Sequence, residues 1–290
     1  MEPATYAPAT SYSLGALVRI FNRAFAGYSM PITQTEETLA AMIANNDVSL
    51  ADSLVMLDGA GEPLGINLLA LRPPRGWIAG MGVDADRRGQ GHGAALMRAI
   101  ITRARARGLA ALHLEVLEHN EPARRLYTAL GFRETRLLRV FNGVLARHPD
   151  TPRDGTAVVS PVAVADALAR FDAWHPNAPS WQREAPSLAH LAPRLRAHEL
   201  RVAGEPRAYA LHAPSSAGVA LLDAGAAPGA GAVAALTELL LAITDGMERA
   251  PLRAINVPPD DPLGEALAGL GCAVLTRQVE MALPLAPDAP

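Results

Sequence analysis

Residues 77–96 read WIAGMGVDADRRGQGHGAAL, and this stretch decides the fold. It begins with an apolar segment that predicts a strand, continues into a turn rich in arginine and glycine, and ends in a predicted helix. The glycines let consecutive backbone N–H groups point into one concavity, because no Cβ atom blocks them. The helix start adds unpaired N–H donors and the positive end of its dipole, while Arg87 and Arg88 add full charges. The stretch therefore predicts a site for a polyanion such as a pyrophosphate.

Other phosphate-binding loops share this logic, and details of the sequence separate them. A P-loop needs Gly-Lys-Ser/Thr at the helix start, and the chain contains no lysine. A dinucleotide-binding fold needs G-x-G-x-x-G directly after a strand, whereas residues 84–88 intervene here and the glycines read G-x-G-x-G-A. Glu115 lies near the distance expected of a ribose-binding acid, so a nucleotide-dependent oxidoreductase stays open at this point. A glycine-rich turn without any ligand is the other alternative.

A second segment decides between these alternatives. Residues 112–132 read LHLEVLEHNEPARRLYTALGF, in which the first apolar residues alternate as in a strand. A short helix follows, since Asn120 and Pro122 are typical of a helix start and Gly131 of a helix end. The sequence thus predicts a second strand and helix directly after the glycine-loop helix.

Taken in order, the two segments closely resemble the GNAT acetyltransferase superfamily. The acetyl-CoA loop of that family reads Q/R-x-x-G-x-G/A, and residues 88–93 match it. Its next strand and helix read L-E-V…N-x-x-A-x-x-L-Y-x-x-L-G-F, and residues 114–132 match that pattern. The resemblance implies an α/β (α+β) fold with a mixed, mostly antiparallel central sheet flanked by helices, and acetyl-CoA as acetyl donor.

The resemblance also implies which residues bind acetyl-CoA. They lie on the first strand, the glycine loop and the second helix: Met81, Val83, Arg88, Gly89, Gln90, Gly91, His92, Gly93, Ala94, Asn120, Ala123 and Tyr127. Backbone groups of the strand would pair with the pantetheine arm, and the N–H of Met81 or Val83 would donate to the thioester oxygen. Asn120 would contact the pantetheine, and capping its own helix is the alternative role. For His92, a surface position at the helix start is the simpler interpretation.

Two residues are expected to catalyse the transfer. Tyr127 matches the general acid of the family, which protonates the departing thiolate, although an aromatic residue on an inner helix face is also compatible with core packing. Glu115 is the expected general base, because a glutamate inside an apolar strand is costly to bury without a purpose. Glu118 and His119 are weaker candidates for the base. The 12-residue spacing from Glu115 to Tyr127 resembles that of ribosomal-protein N-terminal alanine acetyltransferases without naming the acceptor.

The composition limits the classes of partner that the chain is expected to bind. A net charge of −3 gives no general attraction to nucleic acid or to anionic membranes, and no apolar run is long enough for a membrane span. No signal peptide is recognisable at the start, and the single cysteine, Cys272, fits a reducing cytoplasm. Cys272 is expected in the core rather than as a catalytic thiol. No metal site is expected, and the acceptor is expected to be a small-molecule or peptide amine bound by a monomer or homodimer.

The order of elements repeats after a predicted linker at 148–155. Residues 1–147 are expected to form the active GNAT domain, and residues 156–290 a degenerate copy. In the second copy the positions of Arg88, Glu115, Asn120 and Tyr127 are taken by Ala226, Ile255, Asp260 and Leu267, respectively. An unrelated α/β domain is the alternative for this half.

The acceptor pocket is expected at the loop Gly27–Thr33, with Tyr28 and Met30, and at the sheet edge near Trp77. Acetyl transfer from acetyl-CoA to a primary amine is the function that these features favour. A non-catalytic acyl-CoA-binding regulator that uses the same pocket as a sensor is the main alternative.

Overall fold

The computed structural model describes residues 5–28, 32–145, 156–175, 177–215, 218–245 and 251–285. The chain divides into two compact units, Met1–Thr135 with Glu280–Pro290, and Arg136–Val279. Each unit is a mixed, mostly antiparallel sheet flanked by helices, as the sequence predicted. The predicted linker lies outside the described residues.

The strands are β1 (Thr5–Pro8), β2 (Leu54–Leu57), β3 (Pro63–Arg72), β4 (Arg75–Val83), β5 (Ala111–Leu117), β6 (Arg133–Gly143), β7 (Ala157–Val162), β8 (Arg196–Val202), β9 (Glu205–Ser215), β10 (Gly218–Ala226), β11 (Leu252–Val257) and β12 (Ala273–Pro284). The α-helices are α1 (Leu14–Ala24), α2 (Glu36–Asn45), α3 (His92–Ala106), α4 (Glu121–Ala129), α5 (Val164–Leu168), α6 (Phe171–Trp174), α7 (Ala185–Leu191), α8 (Ala232–Thr244) and α9 (Pro262–Gly269). None of the described helices is both long and apolar enough to cross a lipid bilayer.

In the first unit the sheet order is β1-β2-β3-β4-β5, and the end of β12 follows β5. Strands β1 to β4 pair antiparallel, whereas β4 and β5 pair parallel. Helix α1 lies so close to β4 that a Cβ atom at Gly80 would come within 3.0 Å of Phe21. A Cβ atom at Gly82 would come within 2.8 Å of the Ala24 carbonyl oxygen. The two glycines therefore permit the close approach of this helix to the strand.

Strands β4 and β5 pair only at their beginnings. The parallel register joins Arg75–Trp77 to Ala111–His113, and no pairing between the two strands is recorded beyond those residues in the described chain. A register shift in the β3–β4 pairing falls at Ile78–Gly80, directly after Trp77, the last residue of β4 that pairs with β5. The two strands thus diverge toward their carboxyl ends, where the glycine loop and α4 begin.

The second unit repeats this plan, in the sheet order β6-β11-β10-β9-β8-β7. Its parallel pair, β10 and β11, joins Val219–Leu221 to Leu252–Ala254 and then separates. A register shift between Leu221 and Asp223 in the β9–β10 pairing follows directly, as in the first unit. The buried leucines of α8 pack on this sheet. In both units a parallel strand pair separates after three residue pairs, and we call this separation the split. The recurrence of the parallel pair, the split and the bulge supports the predicted duplication.

The unit boundaries differ from the predicted domains 1–147 and 156–290. Most of β6 belongs to the second unit, because Leu252 and Ala254 of β11 pair with Gly143 and Phe141. The last residues of β12 belong to the first unit, where the Leu285 N–H donates a 2.8 Å hydrogen bond to the Ala110 carbonyl. Each unit is therefore completed by a strand segment from the other half of the sequence.

The strand and helix predicted on either side of the glycine loop, and the strand and helix predicted within residues 112–132, are confirmed, with ends shifted by a few residues. In the second half, the sequence predicts one helix over residues 163–174, and the structure has two short helices there, α5 and α6. Strands β1 and β7 were not predicted, because four to six residues of mixed polarity give no periodic signal. Cys272 is buried, and burial raises its pKa to about 11, so its thiol stays protonated as expected of a core residue.

Candidate active site

The glycine loop connects β4 to α3. Gly89 and Gly91 adopt φ values of +75° and +86°, a left-handed region that a Cβ atom disfavours. Gly91 is the N-cap of α3 and has no side chain to bond the first N–H groups of the helix. These donors and the helix dipole therefore face the end of β4, in the arrangement that binds anions at helix starts.

Arg88 lies differently from expectation. Its Nε donates to the Val83 carbonyl at 3.0 Å, and its Nη2 donates to the carbonyls of Ala24 at 3.0 Å and Ala26 at 2.8 Å. The guanidinium thus donates to the carbonyls at the end of α1, where its positive charge also interacts favourably with the negative end of the helix dipole. In this structure Arg88 fastens α1 to the start of the glycine loop.

The remaining loop residues lie against β4 and α4. A Cβ atom at Gly93 would lie 3.4 Å from Leu126 and 3.9 Å from the Met81 methyl group, so Met81 and Gly93 are neighbours. Gln90 donates a 3.2 Å bond to the Asp86 carbonyl. The Nδ1 atom of His92 is buried and has no hydrogen-bond partner among the described residues. Met81, His92, Gly93 and Ala94 are all partly buried, whereas Gly89, Gln90 and Gly91 are exposed.

Asn120 has two contacts at the start of α4. Its Oδ1 accepts a 3.3 Å bond from the Ala123 N–H, which confirms the predicted N-cap, and its Nδ2 donates to the Tyr28 hydroxyl at 3.3 Å. Tyr28 stands at the end of the segment that follows α1. Residues 29–31 of the expected acceptor loop, Met30 included, lie outside the described residues. The structure thus brings one residue of that loop to the start of α4.

Tyr127 lies on the inner face of α4 and is only 7% exposed. Its ring centroid is 5.9 Å from that of Phe132, and the Tyr28 phenol lies close enough to affect the pKa of Tyr127. Burial, and then the neighbouring Tyr28, raise the pKa of Tyr127 well above that of a free phenol. Tyr127 therefore keeps its proton at neutral pH, as a general acid must before it donates.

Glu115 stands on β5, two residues beyond the last pair with β4. Its Oε2 accepts a 2.6 Å hydrogen bond from Nε1 of Trp77, the last residue of β4 that pairs with β5. Sequence reasoning placed Trp77 beside the acceptor pocket but missed this bond, since 38 residues separate the partners. The half-buried carboxylate is thus held at the point where the two strands diverge.

The model of the Acetyltransferase (GNAT) family matches residues 16–132, which include the split, the glycine loop and α4. Over these residues the chain is similar to GNAT acetyltransferases. The matched segment ends at Phe132, where β6 begins its course into the second unit.

Two curated GNAT-region relatives are mycothiol acetyltransferases. The protein of Actinosynnema mirum is 33% identical over 118 residues, which are 40% of this chain and 40% of that protein. The protein of Thermomonospora curvata is 36% identical over 118 residues, which are 40% of this chain and 39% of that protein. The chain thus matches about two fifths of the length of these relatives.

Two solved GNAT structures cover almost the whole chain. A GCN5-related N-acetyltransferase from Sphaerobacter thermophilus has a TM-score of 0.72 at 13% identity, over 99% of this chain and 96% of that chain. A tandem GNAT protein from the clavulanic acid biosynthesis pathway has a TM-score of 0.70 at 16% identity, over 99% and 100%. These likenesses extend the GNAT fold to the second unit.

The second unit has other residues at the positions that correspond to Arg88, Glu115, Asn120 and Tyr127. Ile255 is half-buried on β11 and Leu267 is fully buried on α9. Ala226 is the last residue of β10 rather than part of the loop, and the N-cap of α9 is Asp261 rather than Asp260. At the positions of Glu115 and Tyr127 this unit therefore has neither a carboxylate nor a phenol.

A buried polar cluster stands in the second unit instead. Asp223, directly after the bulge of β10, accepts bonds from Arg183 Nη2 at 2.8 Å and from the Tyr209 hydroxyl at 2.7 Å. Nε2 of His175 lies 3.2 Å from the same carboxylate. Burial by itself would raise the pKa of Asp223, but the charges of His175 and Arg183 outweigh it and lower the pKa to about 2. Sequence reasoning missed Asp223 as a member of a site, although it carries the signal that pointed to Glu115, a carboxylate inside an apolar strand.

Among the described residues, no group of three or more histidine, cysteine, aspartate and glutamate side chains is arranged to hold a metal ion.

Proposed function

We propose that the chain is an acetyl-CoA-dependent N-acetyltransferase whose single active site lies in the first unit. The divergence of β4 from β5 beside the glycine loop carries this proposal. A parallel pair that separates exposes strand N–H and C=O groups to an added extended partner, which the pantetheine arm can supply. The match of residues 16–132 to the Acetyltransferase (GNAT) family supports the same activity.

The residues present fit acetyl-CoA. The pyrophosphate would lie on the N–H groups of Gly89–Ala94, where a Cβ atom at Gly89 or Gly91 would strain the loop. Arg88 would hold this loop in place through the three carbonyls that it bonds. Met81 and Val83 on β4, and Asn120 and Ala123 at the start of α4, would contact the rest of the molecule. When bound there, acetyl-CoA supplies an activated acetyl group.

The chain's own residues would carry the proton transfers. Glu115 would accept a proton from the acceptor amine, directly or through a water molecule, so that the amine can attack as a neutral nucleophile. A backbone N–H of β4, at Met81 or Val83, would donate to the thioester oxygen as negative charge develops there. Tyr127 would donate its proton to the departing thiolate, for which its raised pKa keeps it ready.

The second unit would take no part in the chemistry. Arg183 reaches from Asp223 on β10 to β11, where its Nη1 lies 3.4 Å from the Asn256 carbonyl oxygen. Both residues lie beyond the last paired residues of these strands, and Arg183 is 2% exposed. Its side chain thus occupies the split that, in the first unit, would receive the pantetheine. One acetyl-CoA per chain is the expected stoichiometry.

The acceptor is proposed to be a primary amine on a small molecule or peptide. The curated relatives are named for acetyl transfer in the context of mycothiol, and their likeness is confined to 118 residues. We therefore propose the reaction class from them and not the acceptor. A cytoplasmic location accords with the single, buried cysteine.

A binding and turnover panel tests the proposal. Thermal shift with acetyl-CoA, CoA, NAD⁺ and NADP⁺ should raise the melting temperature only with the first two ligands. Amine acceptors, grouped as amino acids, amino sugars, polyamines and peptide N-termini, are then surveyed for CoA release with a thiol reagent. Acetyl-CoA binding without CoA release from any acceptor class would favour the acyl-CoA-binding regulator instead. Binding of NAD⁺ alone would overturn the proposal.

A further inference from the structure

Trp77 makes a contact that the proposed mechanism does not use. Its indole is only 3% exposed, yet its Nε1–H is directed at the Glu115 carboxylate over 2.6 Å. A buried indole N–H needs an acceptor, and a backbone carbonyl would meet that need as well as a carboxylate. The acceptor chosen here is the residue that the mechanism assigns as general base.

The position of the bond is set by the sheet. Trp77 pairs with His113, and Glu115 follows two residues later on the same face of β5, because side chains alternate along a strand. Beyond this pair β4 gives no recorded backbone pairing to β5, so the bond joins the two strands directly beside the point of divergence. A side chain at this point can fix the orientation in which β5 holds Glu115 at the open side of the split.

We propose that Trp77 is a positioning residue for Glu115. A neutral N–H donor to a carboxylate makes a short, strong bond, so one oxygen is fixed and the direction of the other is set with it. A base whose lone pair is misplaced by about 1 Å can lose roughly 100-fold in rate. This inference rests on the proposed function, in which Glu115 is the base.

A double-mutant cycle tests the role. Trp77→Phe keeps an aromatic ring but removes the donor, and should lower kcat roughly 10- to 100-fold while the KM for acetyl-CoA changes less than about twofold. In a Glu115→Gln background the same substitution should lower kcat by less than about twofold, since no base remains to be positioned. An equal loss of kcat in both backgrounds would mean that Trp77 only packs, and would overturn the inference. Leu39→Ala, a fully buried change on α2, is the control for lost packing and should reduce the melting temperature without that loss of kcat.

A measurement without turnover separates this inference from the proposed function. The chain has three tryptophans, and Trp77→Phe identifies which indole N–H resonance belongs to Trp77. Glu115→Gln should move that resonance upfield and leave those of Trp174 and Trp181 in place. No movement would show that the bond does not form in solution, and the inference would fail. Movement together with unchanged turnover in Glu115→Gln would instead remove Glu115 as the base and leave the bond standing.

Discussion

Nη2 of Arg183 donates a 2.8 Å hydrogen bond to Oδ1 of Asp223, and neither side chain is more than 2% exposed. The pair closes the second unit's split from within. Two opposite charges buried together offset much of the cost of removing each from water, whereas one left alone bears that cost in full. We therefore expect that removing one partner of the pair destabilises the second unit.

Replacement of Arg183 should accordingly destabilise the chain. Arg183→Leu leaves the Asp223 carboxylate buried without its guanidinium, and a loss of about 3–5 kcal/mol is expected for the second unit. Differential scanning calorimetry measures the loss. Arg194→Leu is the matched control, because Arg194 is exposed in the same unit. A melting temperature equal to that of the wild type in Arg183→Leu would show that the pair does not hold the split.

Gly91→Asp should abolish acetyl-CoA binding altogether. A carboxylate and a Cβ atom would enter the space and the left-handed backbone that Gly91 provides at the start of α3. Isothermal titration should give one acetyl-CoA per wild-type chain and none for the variant, with Gly61→Asp in the exposed β2–β3 turn as a second positive-φ glycine control. Normal binding by a folded Gly91→Asp variant would show that the cofactor site does not lie on this loop.

Tyr127→Phe should lower kcat by roughly 10²- to 10⁴-fold, the range of general acid–base catalysis. The ring and its contact with Phe132 remain, so acetyl-CoA affinity and melting temperature should change little. Tyr6→Phe, on the exposed part of β1, is the matched removal of a phenol hydroxyl. Steady-state kinetics compares the two variants, and equal kcat values in both would leave Tyr127 as a packing residue.

Glu115→Gln should lower the rate most at neutral pH. At higher pH more of the acceptor amine is already deprotonated, so the need for a base declines and the rate should partly recover. A pH–rate profile from neutral to alkaline pH checks this, with Glu62→Gln in an exposed turn as control. A profile parallel to that of the wild type would argue that Glu115 does not take the proton.

Local patterns predicted the first unit well. Asn120 as N-cap, the glycine loop before α3 and the strand that carries Glu115 each follow from residues within about ten positions of one another. The partners of Arg88 were not predicted. Its charge was expected at the polyanion site, whereas its guanidinium bonds the carbonyls of Ala24 and Ala26, which lie more than sixty residues away in sequence. Such long-range pairing leaves no periodic trace in the sequence.

The same reason explains the domain boundaries. The apolar alternation of β12 predicts a strand, which the structure confirms, but not the sheet that it joins. Its end lies in the first unit beside β5, and Thr135 Oγ1 donates to the Glu280 carbonyl at 3.1 Å. The two residues are 145 positions apart. A strand's partner is decided by tertiary packing, which a single sequence does not display.

The last strand should therefore be needed by the first unit. Leu283 is 7% exposed, and a Cβ atom at Gly131 would lie only 3.2 Å from its Cδ1. Leu283→Asp would bury a carboxylate against the end of α4, so the melting temperature and acetyl-CoA binding should both fall. Pro284→Asp is the matched control, because the side chain of Pro284, the next residue, is exposed.

For the same reason, a chain that ends at residue 147 should not fold stably, since its sheet lacks the strand that follows β5. Circular dichroism and titration with acetyl-CoA test both changes. If Leu283→Asp and the shortened chain each bind acetyl-CoA as the full chain does, then the first half folds by itself, and the strand from the far end of the sequence contributes nothing that acetyl-CoA binding requires.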